Sequence, residues 1–356
     1  MNEKSSVRIL DSFSFNQKSK TCPEPCRRIQ NPKFVGFFAI VVTFALCGAV
    51  AEAQQPKKLA RIGYLSMRSA PSEREEAFKQ GLSEFGLVDG ENVQIEYRWA
   101  KGKTELLPQL AAELVRLKVD VIVVPATVAI EAVKKATTTI PIVMSAAADP
   151  VGSKIIASLD RPGGNITGLS LMAPELAGKR LELLREVLPK LSRVAFLAYS
   201  ADPATGLFVK EAQDVAQKLR LEVQPFIVRS FGEFDDAFAK MKSQRMGALV
   251  VTPILVAIAD QNRRIVDLAL RDRLPAIADL RDFTEAGGLM SYGPKIEALY
   301  YRAAYYVDKI LKGAKPAELP VEQPRIFETA INLKTAKQIG VTISPEILSR
   351  ADKVIK

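Results

Sequence analysis

From Ala60 to Ile277 short apolar runs alternate with longer amphipathic segments, a pattern that narrows the choice of fold more than any other feature of the chain. Runs of four to six residues suit buried strands, and the segments between them carry the 3.6-residue period of half-buried helices. Repeated strand–helix alternation builds parallel sheets with helices on both faces. A first series predicts strands at 61–65, 93–97, 121–124 and 140–144, with helices at 72–85, 104–117 and 127–136. Residues 150–168 then hold the densest turn cluster, Arg161-Pro162-Gly163-Gly164-Asn165, and read as a linker. A second series predicts helices at 174–188, 205–219, 234–241 and 260–272 and strands at 194–199, 222–227, 248–251 and 276–277. The fold class is therefore α/β, with two doubly wound parallel-sheet lobes. Open sheets of this kind bind ligands at the carboxyl ends of their strands, so function is expected in a cleft between two such ends.

Ahead of this pattern lies the longest apolar stretch, Phe34 to Val50. Cations including Arg27, Arg28 and Lys33 precede it, and Ala51-Glu52-Ala53 follows. That order is a secretion signal, predicting a signal peptide over 1–53, cleavage after Ala53 and a periplasmic product. The run is also just long enough for an uncleaved anchor. Cys47 raises a lipid-attached alternative, against which bulky Leu46 argues. Cys22, Cys26 and Cys47 all precede the cut, so the processed chain would contain no thiol and no disulfide.

Removing the leader's seven cations and four anions from totals of 50 and 40 leaves 43 against 36, a net charge of +7. These cations are scattered among acidic residues instead of forming a stripe with aromatics, which argues against nucleic acid as a partner. The chain has no histidine, so serine–histidine and zinc–histidine chemistry are excluded. No G-x-S-x-G or G-x-G-x-x-G motif occurs, and Ala173 stands where a phosphate loop ending at Gly178-Lys179 needs its first glycine. No metal and no cofactor is expected, and only carboxylate- or lysine-based catalysis stays open.

Several stretches carry a resemblance across essentially the whole processed chain. They are Arg61-Ile62-Gly63-Tyr64-Leu65-Ser66, Ile140-Pro141-Ile142-Val143, Asp149-Pro150-Val151-Gly152, Arg161 to Gly168, and Ser291-Tyr292-Gly293-Pro294. Tyr306 to Gly313, Leu319 to Pro324 and Ile331 to Ala336 extend it to the tail. Together they resemble the tryptophan- and tyrosine-type ABC transporter substrate-binding proteins, similar in fold to type I periplasmic binding proteins. The resemblance implies three crossovers between the lobes and closure on a ligand by hinge motion. It divides the chain into an N-terminal lobe, 58–165 with 292–320, and a C-terminal lobe, 166–291 with 321–356. One departure stands at Tyr199-Ser200-Ala201-Asp202-Pro203, where many relatives have Asn-Pro.

Candidate ligand-binding residues follow from the strand ends. Thr127 opens a helix after the third strand, where free amides and the positive end of the dipole suit a carboxylate. Ser66 is placed equivalently after the first strand, and both hydroxyls also fit plain capping. Asp279, beyond the 276–277 strand, is the preferred partner for a ligand ammonium, with helix capping as its alternative. Asp149 either pairs with the ligand or braces its Asp-Pro turn. Tyr64, Tyr292 and Tyr199 are candidates for stacking on an apolar ligand, and Ser200 and Thr252 complete the set. Tyr300, Tyr301, Tyr305 and Tyr306 share a helical spacing that reads as packing outside the site.

The function these features imply is an exported, monomeric solute-binding protein. It takes a small carboxylated molecule, an amino acid or aromatic acid, and delivers it to an ABC permease with a separate ATPase. A ligand-sensing receptor shares every one of these features. A carboxylate-only enzyme and a cytoplasmic regulator of the lac-repressor type are the remaining alternatives, and an export run stands where the regulator needs its DNA-binding helices.

Overall fold

The computed structural model describes residues 59–356. The leader, the proposed cleavage point and all three cysteines lie outside them. Two sheets organise the described chain. The first contains β1 (Ala60–Ser66), β2 (Val93–Trp99), β3 (Val121–Val124), β4 (Ile142–Ala147) and β5 (Ile166–Ser170), in the order β2-β1-β3-β4-β5 and parallel throughout. Helices α1 (Glu73–Glu84), α2 (Leu107–Arg116) and α3 (Thr127–Ala136) connect its strands. The second sheet contains β6 (Arg193–Tyr199), β7 (Glu222–Val228), β8 (Ala248–Val251), β9 (Ala276–Ala278), β10 (Met290–Pro294), β11 (Phe327–Asn332) and β12 (Lys353–Ile355). Its order is β12-β11-β10-β9-β8-β6-β7. Around it lie α4 (Glu175–Val187), α5 (Thr205–Leu219), α6 (Phe234–Ser243), α7 (Pro253–Ala257), α8 (Ala259–Arg271), α9 (Arg281–Glu285), α11 (Leu333–Ile339) and α12 (Pro345–Ser349).

Both sheets are doubly wound in the manner the alternation predicts. Strands β3, β4 and β8 are buried along their whole length, which explains why they read as unbroken apolar runs without period two. Two features differ from expectation. Strand β5 begins inside the stretch read as a linker, because its turn-forming residues end at Asn165 and Ile166–Ser170 then pairs with β4. Strand β11 runs antiparallel to β10, so the second sheet is mixed.

The chain passes between the sheets three times, at 171–174, at 294–296 and through 312–326. The helix between the second and third passages, α10 (Ile296–Leu311), packs along α1 and over β4 and β5 of the first sheet. The approach is close at Gly81, where an added Cβ would lie 2.4 Å from the Tyr301 carbonyl oxygen. The segment assigned by sequence to 292–320 is thus shared: Tyr292 and Gly293 belong to β10 in the second sheet, and α10 lies on the first. Arg180, fully buried on α4, ties the first passage to β10 by donating from Nε to the Tyr292 carbonyl at 2.9 Å and from Nη1 to that of Ala173 at 3.3 Å.

Among the described residues no helix is long and apolar enough to cross a membrane. No group of acidic, histidine or cysteine side chains there is arranged to hold a metal ion.

Candidate functional site

Strand order reverses between β1 and β3 in the first sheet and between β6 and β8 in the second, and the loops leaving these strands diverge there. A cavity opens between the two sets of loops, lined by Ser66, Ala126, Thr127, Ala146 and Ala148 on one wall and by Asp202, Pro253, Ile254 and Leu280 on the other. Arg68, Arg74 from α1, and Ile296 and Tyr300 from α10 close its side.

The first wall is built for an anion. Thr127 is the first residue of the ten-residue α3, whose opening amides have no partners within the helix. Its hydroxyl accepts the Ala148 amide at 3.0 Å, fixing the end of β4 against α3, and keeps its own proton to donate. Ser66 likewise accepts the Arg68 amide at 3.2 Å and retains a donor. Two guanidiniums stand beside them. Arg74 donates from Nη2 to Asp282 Oδ1 at 2.5 Å, and Arg68 Nη1 lies 3.7 Å from Asp282 Oδ2. The buried Nε of Arg68 has no partner. Burial alone would raise the Asp282 carboxyl, but Arg74 and Arg68 outweigh it and hold the group below its ordinary range.

The opposite wall is apolar except for acids. Asp202 is 5% exposed, and its Oδ1 accepts the Ala204 amide at 3.0 Å. Burial pushes its carboxyl up to about 6, with Glu131 and Asp279 adding to the rise. Asp279 sits one residue before Leu280, fully buried, and neither of its oxygens has a hydrogen-bond partner. Burial raises it to about 6 as well, against the pull of Arg180. Arg180 is itself lowered by burial, and its Nη2 is also unpartnered.

Of the nine residues singled out by sequence, Ser66 and Thr127 line this cavity. Asp279 and Thr252 directly precede lining residues, and the Thr252 hydroxyl is buried and unpartnered. Tyr64 is a core residue: its ring packs on Phe78, Tyr97 and Trp99, and its hydroxyl donates to the buried Glu75 at 2.9 Å. Glu75 is engaged as the second half of the Ser72 capping box at the start of α1, so Tyr64 is tied to the base of that helix, and it is not among the residues lining the cavity. Asp149 braces its turn by accepting the Gly152 amide at 2.8 Å. Tyr199 packs on Phe231, with its hydroxyl 3.2 Å from that of Thr104. Ser200 is exposed, and Tyr292 stacks on Phe327 across β10 and β11.

Sequence reasoning passed over Arg68, Arg74, Asp202 and Tyr300. Tyr300 packs within the helix pair, as its spacing predicts, and it also lines the cavity. The signal for Asp202 was present in the departure at Tyr199–Pro203, which lies on the loop leaving β6.

A family model described as ABC transporter substrate binding protein matches residues 66–355. The chain belongs to this family. This substrate-binding protein is 27% identical over 287 residues, 80% of its own chain and 82% of the relative, to a tyrosine-binding protein of Clostridioides difficile strain R20291. A solved domain from Streptococcus pneumoniae in complex with L-Trp is 30% identical with a TM-score of 0.77, the match covering 83% of this chain and 99% of that one. A conserved domain protein of Vibrio cholerae is 25% identical with a TM-score of 0.78, covering 83% and 100%. More distant periplasmic binding proteins share the fold alone, at TM-scores of 0.52–0.54. The substrate-binding protein therefore has the type I periplasmic binding fold and serves an ABC transporter by binding a solute, not by catalysis.

Proposed function

We propose that this substrate-binding protein captures an α-amino acid with a large apolar or aromatic side chain and delivers it to its permease. The reading rests on one observation: an apolar cavity has hydroxyls on one wall with two cations beside them and an acid on the opposite wall. Arg68, Arg74, Ser66, Thr127 and the first amides of α3 receive the carboxylate. Asp202 receives the ammonium, with Asp279 behind it. Pro253, Ile254, Leu280 and Tyr300 enclose the side chain. The ligands of the two named relatives, tyrosine and L-Trp, carry this same combination of groups and support the reading.

The protein works as a monomer outside the cytoplasm after cleavage behind Ala53, and its partners are a permease and a separate ATPase with no nucleic acid. The lobe built on the first sheet, β1 to β5 with α10 over it, moves against the lobe built on the second sheet, β6 to β12.

A thermal-shift panel tests this. L-tryptophan, L-tyrosine and other apolar amino acids are compared with indole-3-propionate, which lacks the amine, and tryptamine, which lacks the carboxylate. A ligand at a hundredfold excess over its dissociation constant adds about 2.7 kcal/mol. The expected result is stabilisation by at least one amino acid and by neither truncated analogue. Equal stabilisation by indole-3-propionate would remove the role given to Asp202 and make the ligand an aromatic acid. No response to any amino acid would sink the reading.

A further inference from the structure

We propose that Asp282 is a positioning residue that couples arrival of the ligand's carboxylate to closure of the two lobes, a proposal that rests on the amino-acid reading above. Asp282 does not line the cavity. It lies on α9, which follows a strand of the second sheet, and reaches Arg74 on α1 and Arg68 on the loop after β1, both carried by the first sheet. The contact spans 208 residues of sequence and bridges the cavity's edge.

Counting charge at this bridge shows what it does. Arg74 is 4% exposed and has Asp282 as its carboxylate partner, while Arg68 leans on the same carboxylate from 3.7 Å and leaves its buried Nε unpartnered. Arg281, next door, is already occupied by Glu285, Glu297 and Glu328. Closure without ligand therefore gathers two guanidiniums on the one carboxylate of Asp282, with Glu297 acting on Arg74 only through space, and leaves the half-buried Arg68 without a hydrogen-bonded acid of its own. A ligand carboxylate beside Ser66 and Thr127 supplies the second anion. Closed and loaded, Arg74 keeps Asp282 and Arg68 gains a carboxylate of its own. Opening separates Asp282 from both arginines, so its contribution is made in the closed form and sets how long the ligand stays.

The two sides of this balance give variants of opposite sign. In the ligand-free protein, Asp282→Asn removes the bridge and should shift small-angle scattering toward a larger radius of gyration than wild type. Arg68→Met removes the second guanidinium and should shift it toward a smaller one. In stopped-flow measurements with L-tryptophan and L-tyrosine as probes, Asp282→Asn should raise koff about thirtyfold and change kon less than about threefold. Asp282→Glu, which restores the carboxylate, should recover most of the residence time. A merely structural role would lower stability without splitting koff from kon. Wild-type scattering and wild-type koff in Asp282→Asn, or equal shifts of the same sign in both variants, would overturn the proposal. If neither amino acid binds the wild-type protein, the amino-acid reading fails separately, and the opposed scattering shifts still decide whether Asp282 controls closure.

Discussion

Replacing Asp202 by Asn should make the ligand-free protein more stable and the receptor worse. The carboxylate is buried, and its folded value stands at about 6 against an ordinary 3.8. The folded value lies above the unfolded one, so between these pH values the folded state binds more protons and stability falls as pH rises. At 1.36 kcal/mol per pK unit the whole gap costs up to about 3 kcal/mol, fully present above pH ~6 and absent below pH ~4. Asn keeps an oxygen for the Ala204 amide and carries no charge. Urea unfolding should therefore find Asp202→Asn more stable than wild type by roughly 1–3 kcal/mol at pH 8, the difference fading by pH 4. Asp279 titrates in the same range in both proteins, so the comparison isolates Asp202 apart from the repulsion between the two acids. Calorimetry with L-tryptophan should meanwhile show a loss of about 1.5–3 kcal/mol, the worth of a charge-assisted hydrogen bond, or roughly 10- to 150-fold in affinity. A variant less stable than wild type at pH 8, or one that binds within a factor of two of it, would refute the reasoning.

Two further substitutions test the frame around the site. Gly168 holds φ +130° in β5, and an added Cβ would lie 2.1 Å from the Met144 carbonyl oxygen of β4. Gly168→Ala should cost about 3 kcal/mol or more in urea unfolding, and a loss below about 1 kcal/mol would contradict the close approach. Tyr64→Phe removes the hydroxyl that donates to buried Glu75 and should cost about 1–2 kcal/mol of stability. Ligand affinity should be unchanged on calorimetry, and a clear drop would return Tyr64 to the site.

Alternation along the chain was enough to place most strands and helices between 60 and 277, because each fully buried strand is a short apolar run and each helix shows its own apolar face. Other parts left no such mark. Strand β5 is hidden by the turn residues ahead of it, β11 pairs with a neighbour that no local pattern specifies, and the three passages came only from resemblance. The site divides in the same way. Ser66 and Thr127 are legible because they stand where a strand end meets the following turn or helix. Arg74 reads as one more charge on a solvated helix, since only the fold sets it against Asp282, 208 positions away. Tyr64 stands at a strand end yet packs in the core under its own helix, where its hydroxyl meets the Glu75 of the Ser72 capping box, a contact that no local pattern announces.

The helix that covers β4 and β5 is supplied by residues 296–311, long after the last strand of the sheet it protects. A polypeptide emerging from its amino end thus carries five strands with one flank bare until the carboxyl-terminal third arrives. Contacts of such wide separation are slow to form and leave partly assembled chains exposed to wrong partners. A truncation at residue 165 therefore yields no independent half-molecule, and the passages joining the halves are part of what completes each of them.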